Sequence, residues 1–220
     1  MALQASVGTV ARVKDWCVVT GASGTHTQLL AMTEPTMRLY AGVMDMDFAA
    51  AELVDRDLPP SWQKISVMSG KLEDGYAGVL WVDADAAFVR FDEDIRDLAR
   101  PGWNWVHNRY DMAATAAPWP CVPCAGIVAV TPEAQGTLAT LWEMRTEYAH
   151  APWWEQSAAL KLFGWDERTG ELHAPEGQHE LPARWDWTPA SPCEDRVILH
   201  ASGMPFEQRV ALLRDVLREP

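Results

Sequence analysis

The chain has 220 residues, enough for one domain that buries on the order of 70% of its unfolded surface without a staple. Its formal net charge of −13 excludes a general nucleic-acid or anionic-membrane binder, because such affinity comes from clustered Lys and Arg. The first residues carry no basic stretch followed by an apolar core, and no apolar run approaches about 18 residues. Neither a secretion signal nor a membrane span is therefore expected, and the chain is placed in a cytoplasm with Cys17, Cys121, Cys124 and Cys193 as thiols.

Trp16 to Thr20 reads as a first strand that leaves through the glycine-rich turn Gly21-Ala22-Ser23-Gly24, an entrance used by nucleotide-binding α/β units. The turn lacks the lysine of a P-loop and the glycine spacing of a dinucleotide fingerprint, so neither is assigned. Leu29, Leu30, Thr33, Met37 and Tyr40 fall at helical spacing and predict a helix that begins before Pro35 or kinks there. Asp45-Met46-Asp47 is an Asp-x-Asp without an apolar strand before it and reads as a solvated edge strand. Pro59-Pro60 closes a loop, and Ser61 is the expected N-cap of a helix burying Ile65, Met68 and Leu72, with Lys64 on another face.

Val79-Leu80-Trp81-Val82 then runs straight into Asp83-Ala84-Asp85. An unbroken apolar run suits a parallel strand covered on both faces, with Gly75 and Gly78 supplying the turn that starts it. Residues two apart on a strand share a face, so Asp83 and Asp85 are expected to point together at the strand's carboxyl end, where open parallel sheets bind ligands. Two adjacent carboxylates repel unless a cation lies between them, and hard oxygen ligands suit Mg²⁺, Mn²⁺ or Ca²⁺.

Ala86 to Val89 is a short apolar run, and residues 92–98 form a short amphipathic turn of helix. Trp103-Asn104-Trp105-Val106 is the next expected strand, followed at the ligand edge by a polar loop of His107, Asn108, Arg109, Tyr110 and Asp111. Cys121-Val122-Pro123-Cys124 has the spacing of a redox pair or half a zinc site. The Gly126 and Val/Ile run after it reads as a strand, whereas a redox pair needs a helix N-terminus. Thr131-Pro132-Glu133 starts a helix with Leu138, Leu141, Trp142 and Tyr148 on its buried side. Trp153-Trp154-Glu155-Gln156 starts another that ends at Gly164. Two tryptophans beside an acid and an amide are either core or an apolar wall for a sugar ring. Residues 165–195, rich in Pro, Trp and charge, read as an irregular loop, Val197 to Leu199 as a last strand delivering His200, and Phe206 to Leu217 as an amphipathic helix.

Four of these stretches, in order, resemble the galactosyl-, mannosyl- and xylosyltransferase family of GT-A-fold glycosyltransferases. They are Ser61-Trp62-Gln63-Lys64-Ile65 leading to Trp81 through Ala86; Cys124 to Val130; Trp154-Glu155-Gln156-Ser157-Ala158; and Ile198-Leu199-His200-Ala201-Ser202-Gly203. The resemblance implies a single α/β, Rossmann-like domain over 1–220 with a central, mostly parallel sheet flanked by helices. About 1–100 would be the nucleotide-sugar half and about 101–220 the acceptor half. It further implies a metal held by Asp83, Asp85 and His200, with the imidazole favouring Mn²⁺ over Mg²⁺. Donor binding would fall to Thr20, Gly21, Ala22, Lys64, Asp83, Ala84, Ser202 and Gly203, and Gln156 would lie under the anomeric carbon of a retaining transfer. An inverting transfer would need a carboxylate base, with Glu155 or Asp111 as candidates. The donor would be a UDP- or GDP-sugar. The acceptor hydroxyl could belong to a glycan, a protein, a small molecule or a hydroxymethylated DNA base, nucleic acid entering only in that role. The family's membrane-anchored members carry a stem missing here, which points to a soluble bacterial or viral enzyme. A nucleotidyltransferase of the same fold, a non-catalytic binding module and a thiol-redox protein are the alternatives.

Overall fold

The computed structural model describes residues 14–218 apart from 55–57, 116 and 175. In chain order the elements are β1 (Lys14–Ala22), α1 (His26–Val43), β2 (Asp47–Glu52), α2 (Gln63–Glu73), β3 (Tyr76–Val82), β4 (Ala86–Phe88), β5 (Trp103–Arg109), α3 (Met112–Thr115), β6 (Cys121–Val130), α4 (Gln135–Met144), α5 (Trp154–Leu162), β7 (Gln178–Leu181), β8 (Ile198–His200) and α6 (Phe206–Val216). Six strands form one sheet in the order β2-β1-β3-β6-β5-β7, and β4 with β8 forms a separate two-stranded ribbon. The neighbours β2, β1 and β3 run parallel, as do β5 and β7, while β6 alone is reversed against both β3 and β5. The chain is therefore mixed α/β, with a mostly parallel central sheet.

Alternation along β3 covers both faces of the sheet. Val79 and Trp81 pack with Trp62 and Met68 from the α2 side and Leu138 and Leu141 from α4. Leu80 and Val82 pack with Met37 and Tyr40 of α1 on the other side. Both sets are fully buried, each aliphatic side chain contributing about 1.5–3 kcal/mol, which explains why the strand reads as a continuous apolar run. Helix α1 starts well before Pro35 and continues through it. Leu29, Thr33, Met37 and Tyr40 are buried along one stripe, and that burial outweighs the lost N–H bond. Strand β2 is an edge strand, as its polar start suggests, and Asp47 accepts a 2.6 Å hydrogen bond from the Tyr76 hydroxyl.

Several local expectations are corrected. Ser61 lies inside a 3-10 turn (Pro60–Trp62), and α2 has no side-chain cap, because the turn's backbone N–H bonds open the helix instead. Gly75 makes the turn before β3 at φ +91°, but Gly78 lies within the strand, where a Cβ would come 2.2 Å from the Trp16 ring. The polar residues His107, Asn108 and Arg109 continue β5 rather than forming a loop, so they alternate between sheet faces. Residues 165–195 are not irregular throughout. They hold β7, parallel to β5, and a 3-10 turn at Ala183–Asp186. Among the described residues no helix is long and apolar enough to cross a membrane.

Candidate functional site

A cavity of about 600 Å³ opens at the carboxyl ends of β1 and β3. Asp83, Ala84 and Asp85 line it, but they are not strand residues: β3 ends at Val82 and the chain turns, with Ala86 N–H donating to Asp83 C=O at 3.0 Å. The two carboxylates converge through this turn, not through strand alternation. The turn leads at once into β4, whose Ala86 pairs with His200 of β8. That three-residue ribbon carries the imidazole to the aspartates. Ligand atoms of Asp83, Asp85 and His200 all lie within 4.8 Å of one another.

The surroundings fit a cation. His200 is 2% exposed, its Nδ1 faces Asp186 Oδ1 at 2.7 Å, and its Nε2 faces Asp85 Oδ1 at 3.3 Å. A proton on Nδ1 leaves Nε2 free to ligate, the arrangement in which a carboxylate orients a metal-binding imidazole. Asn108 Nδ2 donates to the second Asp186 oxygen at 2.9 Å, fixing that carboxylate in turn. Space for the group depends on Gly126, where a Cβ would fall 2.3 Å from His200 Cε1 and 3.1 Å from Asp83 Oδ2. The small-residue start of β6 is thus required by the site.

Charge is compensated pair by pair. Lys64, 3% exposed, donates to Asp83 Oδ1 and Ala125 C=O at 3.0 Å each and meets Glu155 Oε1 at 2.8 Å. Burial alone would lower its pKa, but the two carboxylates outweigh that and hold it above the usual lysine value. Trp81 Nε1 donates to Asp83 Oδ1 at 2.6 Å. Arg209, from the first turn of α6, donates to Asp85 Oδ2 at 2.7 Å across a sequence separation of 124. Burial would raise the Asp85 carboxyl, yet His200 and then Arg209 hold it well below the carboxylate range.

The other predicted residues divide. Gly21, Ala22, Lys64, Ser202 and Gly203 line the cavity, as do Glu155 and Gln156. Thr20 does not: it alternates away from the mouth and is fully buried, with its hydroxyl unpartnered. Asp111 is exposed and outside the cavity, where Oδ1 caps α3 by accepting from Ala113 and Ala114 N–H. Glu155 is the opposite of an exposed helix start, being 5% exposed and tied to Lys64 through one oxygen while Oε2 is buried without a partner. Gln156 Oε1 accepts from Ala125 N–H at 3.1 Å.

Sequence reasoning missed Asp186, Arg209, Ser23 and His26. Asp186 had a signal, a lone acid between Trp185 and Trp187, whereas Arg209 looked like any helical arginine. The Cys-x-x-Cys segment lies in β6, and Cys121, Cys124 and Cys193 are free thiols. Burial pushes the Cys124 thiol up to about 11, so its proximity to Asp186 and His200 places a thiol there, not a thiolate.

No family model matches the chain, and no curated protein matches it in sequence. Solved structures do match in shape. One is a glycosyltransferase involved in the glycosylation of the major capsid of PBCV-1, with a TM-score of 0.71 at 13% identity over 91% of this chain and 98% of that one. Another is the galactosyltransferase LgtC in complex with donor and acceptor sugar analogs, with a TM-score of 0.55 at 11% identity over 93% and 97%. The chain has the fold of these GT-A glycosyltransferases.

Proposed function

We propose that the chain transfers a sugar from a nucleoside-diphosphate sugar to a hydroxyl acceptor, on a divalent cation held by Asp83, Asp85 and His200. The observation that carries this is the convergence of those three ligand groups at the mouth of the cavity, with Asp186 orienting the imidazole. When bound, the cation supplies Lewis-acid neutralisation of charge on the leaving diphosphate. An imidazole among the donors favours Mn²⁺ over Mg²⁺.

The chain's own residues do the rest. Gly21 and Ala22 offer a close backbone approach for the nucleoside, and Ser202 and Gly203 for the diphosphate. Arg209 places a guanidinium at the same lip, suited to phosphate oxygens. Lys64 sits behind Asp83 and bridges it to Glu155, so it positions rather than touches the donor. In the transfer, the bond from the anomeric carbon to the diphosphate oxygen breaks, a bond to the acceptor oxygen forms, and the hydroxyl proton passes to the departing diphosphate. Gln156 keeps a second carbonyl lone pair for the positive charge growing on the anomeric carbon. Retention is favoured because both candidate inverting bases are badly placed, Glu155 in an ion pair and Asp111 outside the cavity. The single domain divides its labour across one cavity, the donor side drawn from about 1–100 plus the 200–209 segment. Free thiols at Cys121, Cys124 and Cys193 suit a reducing cytoplasm.

The test is release of nucleoside diphosphate from a panel of UDP- and GDP-sugars with Mn²⁺, with and without EDTA. EDTA-sensitive release from one donor is expected. Pyrophosphate released from a nucleoside triphosphate would turn the reading to a nucleotidyltransferase, and no melting-temperature shift with any nucleotide would turn it to a binding module.

A further inference from the structure

We propose that the acceptor is the neutral end of a saccharide, seated with the apolar face of one ring on the indole of Trp154; this rests on the transferase reading above. Trp154 is the first residue of α5 and has φ +45°, a left-handed conformation that residues with a side chain rarely adopt. The strain is locally held. Trp154 N–H donates to Ala151 C=O at 3.1 Å, Gln156 N–H to Trp153 C=O at 2.9 Å, and Ser157 Oγ accepts from Trp153 N–H at 3.2 Å. Strain kept by a surrounding network concentrates where a ligand is clamped. What it achieves here is visible in exposure: Trp153 is half-buried, whereas Trp154 is 45% exposed and lines the cavity.

The preceding residue, Trp153, is anchored in an aromatic cluster. Trp119, Trp153 and Trp165 meet one another with centroids 4.8, 6.3 and 6.2 Å apart, and Trp165 Nε1 donates to Cys121 C=O at 3.1 Å. Next in sequence to the exposed indole, Glu155 lines the same cavity, and its Oε2 lies buried behind the wall without a hydrogen-bond donor. A buried carboxylate oxygen lacking a donor is costly, and a ligand hydroxyl would relieve that cost once the Glu155 side chain turns toward the cavity. A flat ring face with an unfilled acceptor beside it matches a pyranose, whose C–H face is weakly positive and whose edge carries hydroxyls. Charge selects against the other acceptors. Among the described lining residues the lysine and arginine are Lys64 and Arg209, and each is bonded to the Asp83 and Asp85 pair. Nothing cationic lines the tryptophan end to meet the phosphates of a nucleic acid.

The experiment is saturation-transfer NMR on the whole chain with UDP or GDP and Mn²⁺ present. Its probes are methyl hexopyranosides, lactose, maltose and cellobiose, with a single-stranded oligodeoxynucleotide and a serine-containing peptide as competing arms. Saturation of ring protons is expected on at least one sugar, with Kd raised about fivefold in Trp154→Ala and largely restored in Trp154→Phe. Trp154→Gly separates a functional from a structural role: it removes the ring and also relieves the backbone, so it should melt at or above the wild type while losing the sugar. Wild-type protein that binds nucleotide but no sugar would overturn the proposal. So would Trp154→Gly binding sugar as well as the wild type, or saturation of the oligodeoxynucleotide or the peptide alone. Failure of every nucleotide to shift the melting temperature is scored separately, against the transferase reading.

Discussion

At the carboxylate end of the cavity each acidic side chain is partnered: Asp83 meets Lys64, Asp85 meets Arg209 and the His200 ring, and Asp186 meets the other ring nitrogen of His200. At the tryptophan end no cation among the described residues lines the wall, one ring is held out by a strained backbone, and Oε2 of Glu155 has no donor. Glu155 joins the two, with one oxygen on Lys64 and the other unfilled. On the proposed function, the difference follows from what each end would hold. Buried charges are costly unless compensated, so a site for a diphosphate and a cation is fixed in advance. A neutral ring needs only a surface and a few hydrogen bonds, so its site can stay open.

The division can be broken from the charged end first. Asp85→Asn should abolish Mn²⁺-dependent stabilisation, about 2.7 kcal/mol at a hundredfold excess over Kd, and lower transfer by at least ~100-fold. Thermal melts with and without Mn²⁺ check it, and an unchanged shift would remove the metal from these ligands. Lys64→Met strands two carboxylates and should cost about 3–5 kcal/mol in urea unfolding. Adding Glu155→Gln should recover part of that loss. No recovery would mean that the two ends are not coupled through Lys64. Gly126→Ala should cost about 1–3 kcal/mol and also remove the Mn²⁺ shift, because the new methyl meets His200. Gln156→Ala should cost only about 1 kcal/mol in stability, from the freed Ala125 N–H. Its effect on transfer should exceed its effect on folding. Equal effects would make Gln156 a structural residue.

Much of this was legible in the chain, and the failures share a cause. Continuous apolar strands and the helix periods are local signals that placed the sheet, and the fold brings Asp83, Gln156 and His200 to one cavity. The structure differs where a partner far along the chain decides. Lys64 reads as a surface lysine until Asp83 and Glu155 surround it. Gly78 reads as a turn until Trp16 lies over it. Strand β7 is a short run of mixed polarity, held by pairing with β5. Arg209 has no local mark at all, because its only distinction is the aspartate it meets 124 residues away. The Asp83 and Asp85 pair was found for an inexact reason, since a turn brings the carboxylates together where strand alternation was expected.

The ribbon of β4 and β8 also sets a schedule. Ala86 follows the aspartates directly, but its partner His200 is synthesised only after every strand of the central sheet. Joining them closes a long loop for the return of a three-residue ladder, and such non-local pairings form late. A chain emerging from the ribosome therefore carries two carboxylates without the His200 imidazole beside them for most of its synthesis, so a cation that needs all three groups would bind only once the sheet is complete. Metal affinity acquired in a single step at the end of refolding is the kinetic signature to expect, and stopped-flow refolding with Mn²⁺ added at different delays would record it.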